Sequence, residues 1–156
     1  MRLRSSKLFL LPILILGLLV AILVNQHGPQ PSASPTSGEN LTAREAWDFA
    51  QQGQMTIVDI RRPDEWRQTG TPRGSIRLSF ETHPGGPEGF VRDLSTALGE
   101  DRTRPFAIIC RTGNRTGLLL PFLRDNGFTT AKAIPEGMAG SSHGRGWLRT
   151  DLPVDR

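Results

Sequence analysis

The chain has 156 residues, of which 37% are hydrophobic and 22% charged, and it contains a single cysteine. This length allows one domain, or one domain with an appendage. One cysteine excludes an internal disulfide framework and a cysteine-rich zinc site. After residue 40, sixteen basic residues stand against fourteen acidic ones. That bias is too weak to indicate a nucleic-acid partner.

The chain opens with an apolar segment. Residues 8–24 contain no charge and no hydrogen-bonding side chain, and three basic residues precede them. A helix of this length reaches about 25 Å, a little under the hydrocarbon thickness of a bilayer. The positive-inside rule places the N-terminus in the cytoplasm. We therefore expect residues 1–24 to be a single-pass anchor in the cell inner membrane, with the rest of the chain on the periplasmic or extracytoplasmic side.

A cleaved signal peptide is the alternative to an anchor. Signal peptides have a shorter apolar region that ends in a small-x-small cleavage site, whereas Asn25-Gln26-His27 is a poor cleavage context. Residues 25–40 are rich in Pro, Gly and Ser and carry no bulky apolar side chain. Such a stretch cannot bury enough surface to offset its ordering entropy. We predict a flexible linker over 25–40 and a folded domain over 41–156.

The domain alternates helical and extended patterns along the chain. In chain order, the predicted elements are a helix over 43–52, a strand over 55–60, a helix over 63–69, a strand over 75–79, a loop over 83–89, a helix over 90–98, a strand over 105–109, a helix over 116–126 and a strand over 128–134. Thr42 and Glu45 form a capping-box pattern, and Pro63 opens the second helix. Pro121 is expected to kink the last helix or end its first turn. Strands that alternate with helices indicate an α/β fold with a mostly parallel sheet flanked by helices.

Cys110 stands at the end of the strand predicted over 105–109, at the sheet edge where ligands bind in folds of this class. The segment that follows is Arg111-Thr112-Gly113-Asn114-Arg115-Thr116. A strand, a tight glycine turn and a helix start form an anion cradle, because their backbone N–H groups point inward. No acidic residue occurs between Asp101 and Asp125. The local field therefore favours a thiolate and an anionic substrate.

A buried structural cysteine is the alternative interpretation of Cys110, although a structural thiol needs no polar, glycine-containing turn after it. Arg115 is the stronger candidate ligand because it follows the cysteine by five residues, where the turn closes. Arg111 is either a second ligand or a solvated charge. The three histidines are dispersed along the chain, which argues against a metal site, and His143 receives no role. Three residues are predicted to be packing side chains: Trp47, Trp66 and Trp147.

These residues resemble the rhodanese-like sulfurtransferase family over essentially the whole of 41–156. Residues 110–116 look like the active-site loop of that family. Three further segments carry weaker likenesses: Val58-Asp59-Ile60-Arg61 with Pro63 and Glu65-Trp66, Gly70 through Ile76, and Gly137 with Gly146-Trp147. The second of these has Arg73 where proline and Ser75 where alanine are usual, and the third is longer than typical.

The resemblance implies that Cys110 carries a persulfide. Its thiolate would take sulfane sulfur from thiosulfate or a similar donor and pass it to a thiol or cyanide acceptor, with no metal or organic cofactor. A protein thiol is a further candidate acceptor. Asp59 and Arg61 would support neighbouring loops, with Asp59 paired to Arg61 or Arg62. The residues implied to bind substrate are Arg111, Thr112, Gly113, Asn114, Arg115 and Thr116.

Two related chemistries are disfavoured. Phosphatases built on the same fold use a wider Cys-x5-Arg loop, whereas the spacing here is Cys110-x4-Arg115. A redox dithiol role lacks the second cysteine that would resolve an intramolecular disulfide. The competing hypothesis from another functional class is a non-catalytic module that holds a persulfide or an oxyanion for a membrane partner.

Overall fold

The computed structural model describes Gly38 and residues 40–156. The anchor expected over 1–24, and all but two residues of the linker expected over 25–40, lie outside the described residues. Within Gly38 and 40–156, no helix combines the length and the apolar character needed to cross a membrane.

Four parallel strands form the main sheet in the order β3-β1-β4-β5. They are β1 (Thr56–Asp59), β3 (Ile76–Arg77), β4 (Phe106–Ile109) and β5 (Ala131–Ile134). In the register, Asp59 lies opposite Ile109, so the carboxyl ends of the two central strands coincide. A separate antiparallel pair consists of β2 (Thr71–Pro72) and β6 (Val154–Asp155). The mostly parallel sheet predicted from the sequence is confirmed.

Four α-helices and one short 3-10 helix accompany the strands in the described region. They are α1 (Ala43–Gln51), α2 (Pro63–Thr69), α3 (Gly86–Ala97), α4 (Asn114–Asp125) and the 3-10 helix Trp147–Arg149. The predictions for α1 and α2 are confirmed, because local signals set their ends. Thr42 and Glu45 make the reciprocal contacts of a capping box at α1.

The strand predicted over 75–79 is shorter, Ile76–Arg77, and three predicted starts were wrong by two residues or more. Helix α3 begins at Gly86 instead of residue 90, since the following proline is suited to a first helical turn and needs no amide partner there. Helix α4 begins at Asn114 instead of residue 116 and continues through Pro121 to Asp125. Pro121 has no N–H to donate to the Gly117 carbonyl, and Gly117 is exposed, so water can satisfy that carbonyl. Strand β5 begins at Ala131 instead of residue 128, because a turn joins Ala131 to Phe128 through a 3.2 Å backbone hydrogen bond.

The two faces of the sheet carry two separate hydrophobic clusters. Val58 and Ile108 pack with side chains from α3 and α4, whereas Ile57 and Ile109 pack on the opposite face with α1 and Trp147. Alternate strand residues point to opposite faces, so strands buried on both sides read as continuous apolar runs. Helices therefore flank the sheet on both sides, as predicted, and the two central strands are fixed with their carboxyl ends beside Cys110.

Candidate active site

Cys110 lies directly after β4 and immediately before the loop that leads into α4. The residue is only 1% exposed, and the backbone N–H of Gly113 donates a 3.2 Å hydrogen bond to its Sγ. Gly113 is the residue that caps the N-terminus of α4. The sulfur is therefore placed beside a helix N-terminus, whose partial positive charge stabilises an anion.

Hydrogen bonds connect the loop around Cys110 to the segments on both sides of it. The Thr116 hydroxyl is buried and donates to the Gly113 carbonyl at 2.7 Å, which ties the first turn of α4 to the loop. On the other side, the Met138 N–H donates to the Cys110 carbonyl and the Ala139 N–H donates to the Arg111 carbonyl, both at 2.9 Å. The segment that follows β5 thus forms the second wall of the loop.

Two glycines allow these segments to approach each other. Gly113 has a φ of +88°, and a Cβ built there would lie 2.1 Å from the Pro135 carbonyl oxygen. Gly137 has a φ of +65°, and its Cβ would lie 2.5 Å from the Arg111 carbonyl oxygen. Both positions combine a left-handed backbone with a contact too close for any side chain. The geometry of the cysteine loop therefore requires glycine at both.

Asp59 and Arg61 form a buried ion pair at the end of β1. Arg61 Nη2 donates to Asp59 Oδ2 at 2.7 Å, and the side chains are 2% and 0% exposed. The same guanidinium donates to the Gly70 carbonyl at 2.6 Å and to the Thr69 hydroxyl at 2.8 Å. Arg61 therefore connects the end of β1 to the end of α2. Arg62, the other partner considered for Asp59, pairs with Asp64 instead.

Arg115 makes a bidentate ion pair with Glu65 of α2. Its Nη1 and Nη2 donate to the two carboxylate oxygens of Glu65, each at 2.7 Å, and Nη1 also donates to Glu81 at 3.1 Å. The guanidinium hydrogen bonds lower the pKa of Glu65 against the opposing effect of burial, and the Glu65 carboxylate raises the pKa of Arg115. The substrate-binding role of Arg115 stays a prediction. Two carboxylates already compensate the positive charge of its guanidinium.

Glu65 and Glu81 are the site residues that the sequence reasoning missed. The absence of acidic residues between Asp101 and Asp125 suggested a purely cationic surrounding, but both carboxylates arrive from segments far away in the chain. In the sequence, Glu65 belongs only to one of the weaker family likenesses, in the helix predicted over 63–69. Glu65 is the third residue of α2, a spacing that also fits its second contact. Its carboxylate accepts a hydrogen bond from the Arg62 N–H at 3.1 Å.

The remaining predicted loop residues differ in exposure. Arg111 is exposed and has no carboxylate partner within the residues that the structure describes, and it lines a cleft of about 120 Å³ together with Glu65, Met138 and Leu148. Thr112 is half-buried. Asn114 is exposed and forms the first turn of α4.

His143 and the tryptophans have no predicted catalytic role. His143 lines a different cleft, with Glu45 and Glu136. Over Gly38 and 40–156, no group of three or more His, Cys, Asp or Glu side chains is arranged to hold a metal ion.

Trp147 is fully buried and makes an edge-to-face contact with Trp47 at 6.0 Å between ring centres, which confirms the prediction that both are packing residues.

Comparisons with known proteins show what this chain is similar to. A profile of the rhodanese-like domain matches residues 42–142. The chain is 26% identical to an uncharacterized protein of Rickettsia prowazekii over 121 residues, which cover 74% of this chain and 95% of the relative. It is 30% identical over 101 residues to rhodanese-like domain-containing protein 4, chloroplastic, of Arabidopsis thaliana, covering 62% of this chain and 21% of that protein. The crystal structure of Rv0390 from M. tuberculosis superposes with a TM-score of 0.58 at 25% identity, over 74% of this chain and 96% of that one.

Proposed function

The chain belongs to the rhodanese-like domain family, and from that premise we propose that it is a sulfurtransferase which carries sulfane sulfur as a persulfide on Cys110. Membership of the family points to a sulfur-transfer or persulfide-related role. The observation that carries the proposal is the hydrogen bond from the Gly113 N–H to Cys110 Sγ at the N-terminus of α4. A sulfur held in this way is suited to be an anionic nucleophile and to carry an anionic persulfide.

The proposed reaction has two half-reactions at one sulfur atom. In the first, the Cys110 thiolate attacks the outer sulfur of thiosulfate, the S–S bond of thiosulfate breaks, and sulfite leaves with the electron pair. In the second, a thiol or cyanide acceptor attacks the outer sulfur of the persulfide, and the electron pair of the broken bond returns to Sγ. Splitting the transfer in this way is nucleophilic catalysis. Arg111 is the exposed cation best suited to meet an anionic donor, since no carboxylate of the described residues pairs with it.

The test is the mass of Cys110 after exposure of the full-length chain to thiosulfate. The peptide that contains Cys110 is expected to gain about 32 Da, the mass of one sulfur atom, with release of one equivalent of sulfite. Cys110→Ser should take up no sulfur and release no sulfite while keeping the circular dichroism spectrum of the wild type. Sulfite release by Cys110→Ser, or a gain of about 80 Da instead, would contradict the persulfide mechanism.

A carrier that loads sulfur but turns over poorly is the second candidate function. The observation in its favour is that Cys110 is only 1% exposed, so that an acceptor must reach a sulfur with little accessible surface. Steady-state turnover with thiosulfate and cyanide separates the two. Sustained turnover favours the enzyme, whereas stoichiometric loading without turnover favours a module that delivers sulfur to a specific partner, such as a protein thiol.

We also propose that residues 8–24 anchor the protein in the inner membrane, with the domain on the periplasmic side. The support is the unbroken apolar character of this segment and the basic residues before it. The intact mass of the protein isolated from the membrane fraction tests the proposal. Retention of residues 1–24 supports the anchor, and their loss would identify a cleaved signal peptide.

A further inference from the structure

An apolar cavity of about 320 Å³ opens between the loop after β3, the start of α3 and one side of α4. Its apolar lining consists of Phe80, Pro87, Leu118, Leu119 and Phe122. Leu118 is 81% exposed, a large unburied fraction for a leucine on a helix. The volume is near the lower end of the range for small-molecule sites, roughly 300–1,000 Å³. The cavity therefore fits one compact hydrocarbon group.

The cavity adjoins the cysteine site. Arg115 lines it and lies in the first turn of α4, two residues after Gly113, whose N–H donates to Cys110 Sγ. Leu119 belongs to the hydrophobic cluster that contains Cys110, and Phe80 and Phe122 pack against that cluster. The cavity and the Cys110 sulfur therefore share the N-terminal end of α4 and one hydrophobic cluster.

Carboxylates compensate both basic groups at the rim. Arg115 is bonded to both Glu65 and Glu81, and Glu81 also lies 3.7 Å from Arg62. Arg62 also pairs with Asp64, so two guanidinium groups face three carboxylates and no uncompensated positive charge remains to attract an anionic ligand to this side. Apolar walls beside a rim whose cations are already paired favour an uncharged hydrocarbon over a carboxylate or a sulfonate, because burying an unpaired charge is costly.

We propose that this cavity binds the hydrocarbon group of the sulfur acceptor, and that the acceptor is a small organic thiol with an uncharged apolar body. The assignment rests on the proposed function and narrows it to one class of acceptor. The Cys110 persulfide anion reacts with the acceptor R–SH to give the Cys110 thiolate and R–S–SH. The acceptor sulfur forms a bond to the outer sulfur, the bond from that sulfur to Sγ breaks with its electron pair going to Sγ, and the acceptor proton ends on the product persulfide. No external oxidant or reductant is consumed.

The experiment compares two acceptor thiols of similar size. Full-length protein is loaded with thiosulfate and freed of excess donor, and the loss of the added sulfur is followed by mass spectrometry with benzyl mercaptan or with 3-mercaptopropionate. Each rate is divided by the rate of the same thiol with a free persulfide in solution, which removes differences in intrinsic reactivity. In the wild type, we expect the normalised rate with benzyl mercaptan to exceed that with 3-mercaptopropionate by about tenfold, a typical discrimination by an apolar pocket. We call this ratio of normalised rates the preference.

Leu118→Ser tests whether the cavity is the origin of this preference. The substituted residue is exposed, so the fold is retained, and the preference should fall about fivefold as apolar contact surface is lost. Leu118→Met should keep the preference. Leu148→Ser is the matched control, because Leu148 is 38% exposed and lines the other cleft.

The outcomes separate this inference from the proposed function. Equal normalised rates in the wild type, an unchanged preference in Leu118→Ser, or an equal loss in Leu148→Ser would each overturn the cavity assignment while sulfur transfer through Cys110 stands. Failure of Cys110 to load sulfur would instead overturn the proposed function, and the acceptor assignment with it.

Discussion

Replacing Arg115 with alanine should destabilise the domain at neutral pH and much less in acid. Arg115→Ala leaves the Glu65 carboxylate, which is 8% exposed, with the Arg62 N–H as its remaining donor. Removing one partner of a buried ion pair costs about 3–5 kcal/mol. Arg115 is itself 21% exposed, so water can partly replace it. We therefore expect a loss of about 2 kcal/mol in the free energy of unfolding at pH 7.

The pH dependence follows from the direction of the Glu65 shift. Arg115 lowers the pKa of Glu65 in the folded protein. A carboxyl with a lowered folded pKa stabilises the fold above its unfolded pKa of about 4.3, and this contribution is lost as the pH falls through the folded value. The difference between wild type and Arg115→Ala should therefore be largest at neutral pH and shrink below about pH 4.

Urea unfolding followed by tryptophan fluorescence measures this difference, since Trp147 is fully buried in the native state. Titrations of both proteins at pH 7 and at pH 3.5 give the two free energies of unfolding. Arg73→Ala is the matched control, because Arg73 pairs with Asp155 at a surface where both side chains are about half exposed, 61% and 48%. An equal loss at both pH values, or a loss no larger than that of Arg73→Ala, would refute the assignment of the effect to the Glu65 charge.

Further predictions concern the backbone of the loop, its support and donor binding. Gly137→Ala should lower the free energy of unfolding more than Gly53→Ala does and should slow sulfur loading. The two glycines share a positive φ, but of the two only Gly137 faces backbone atoms within 3 Å of a built Cβ. Urea unfolding measures the first effect and sulfite release the second. Asp59→Asn should cost about 3 kcal/mol or more in the free energy of unfolding, since it leaves a buried guanidinium without its carboxylate. Arg111→Ala should raise the KM for thiosulfate more than Arg115→Ala does, the reverse of the order expected from loop spacing, because two carboxylates already compensate Arg115. Steady-state kinetics of the two variants decide that order.

Local signals in the sequence were sufficient for much of the fold. The capping box at Thr42 and the proline at residue 63 set the starts of α1 and α2, and apolar runs marked the central strands. The starts of α3 and β5 were missed although local features, a proline and a turn, set them, whereas the start of α4 depends on a distant segment. Helix α4 begins two residues early because Gly113 takes a left-handed conformation against Pro135, a contact with a distant part of the chain.

By itself, the sequence determined the cysteine, its position after a buried strand and the glycine turn that follows, because these depend on residues adjacent in the chain. The charge balance around that cysteine was decided only by the tertiary structure. Glu65 and Arg115 are 50 residues apart and meet because α2 and α4 both begin at the carboxyl edge of one sheet. Charges interact through space, so a charge pattern read along the chain cannot show which groups compensate each other after folding.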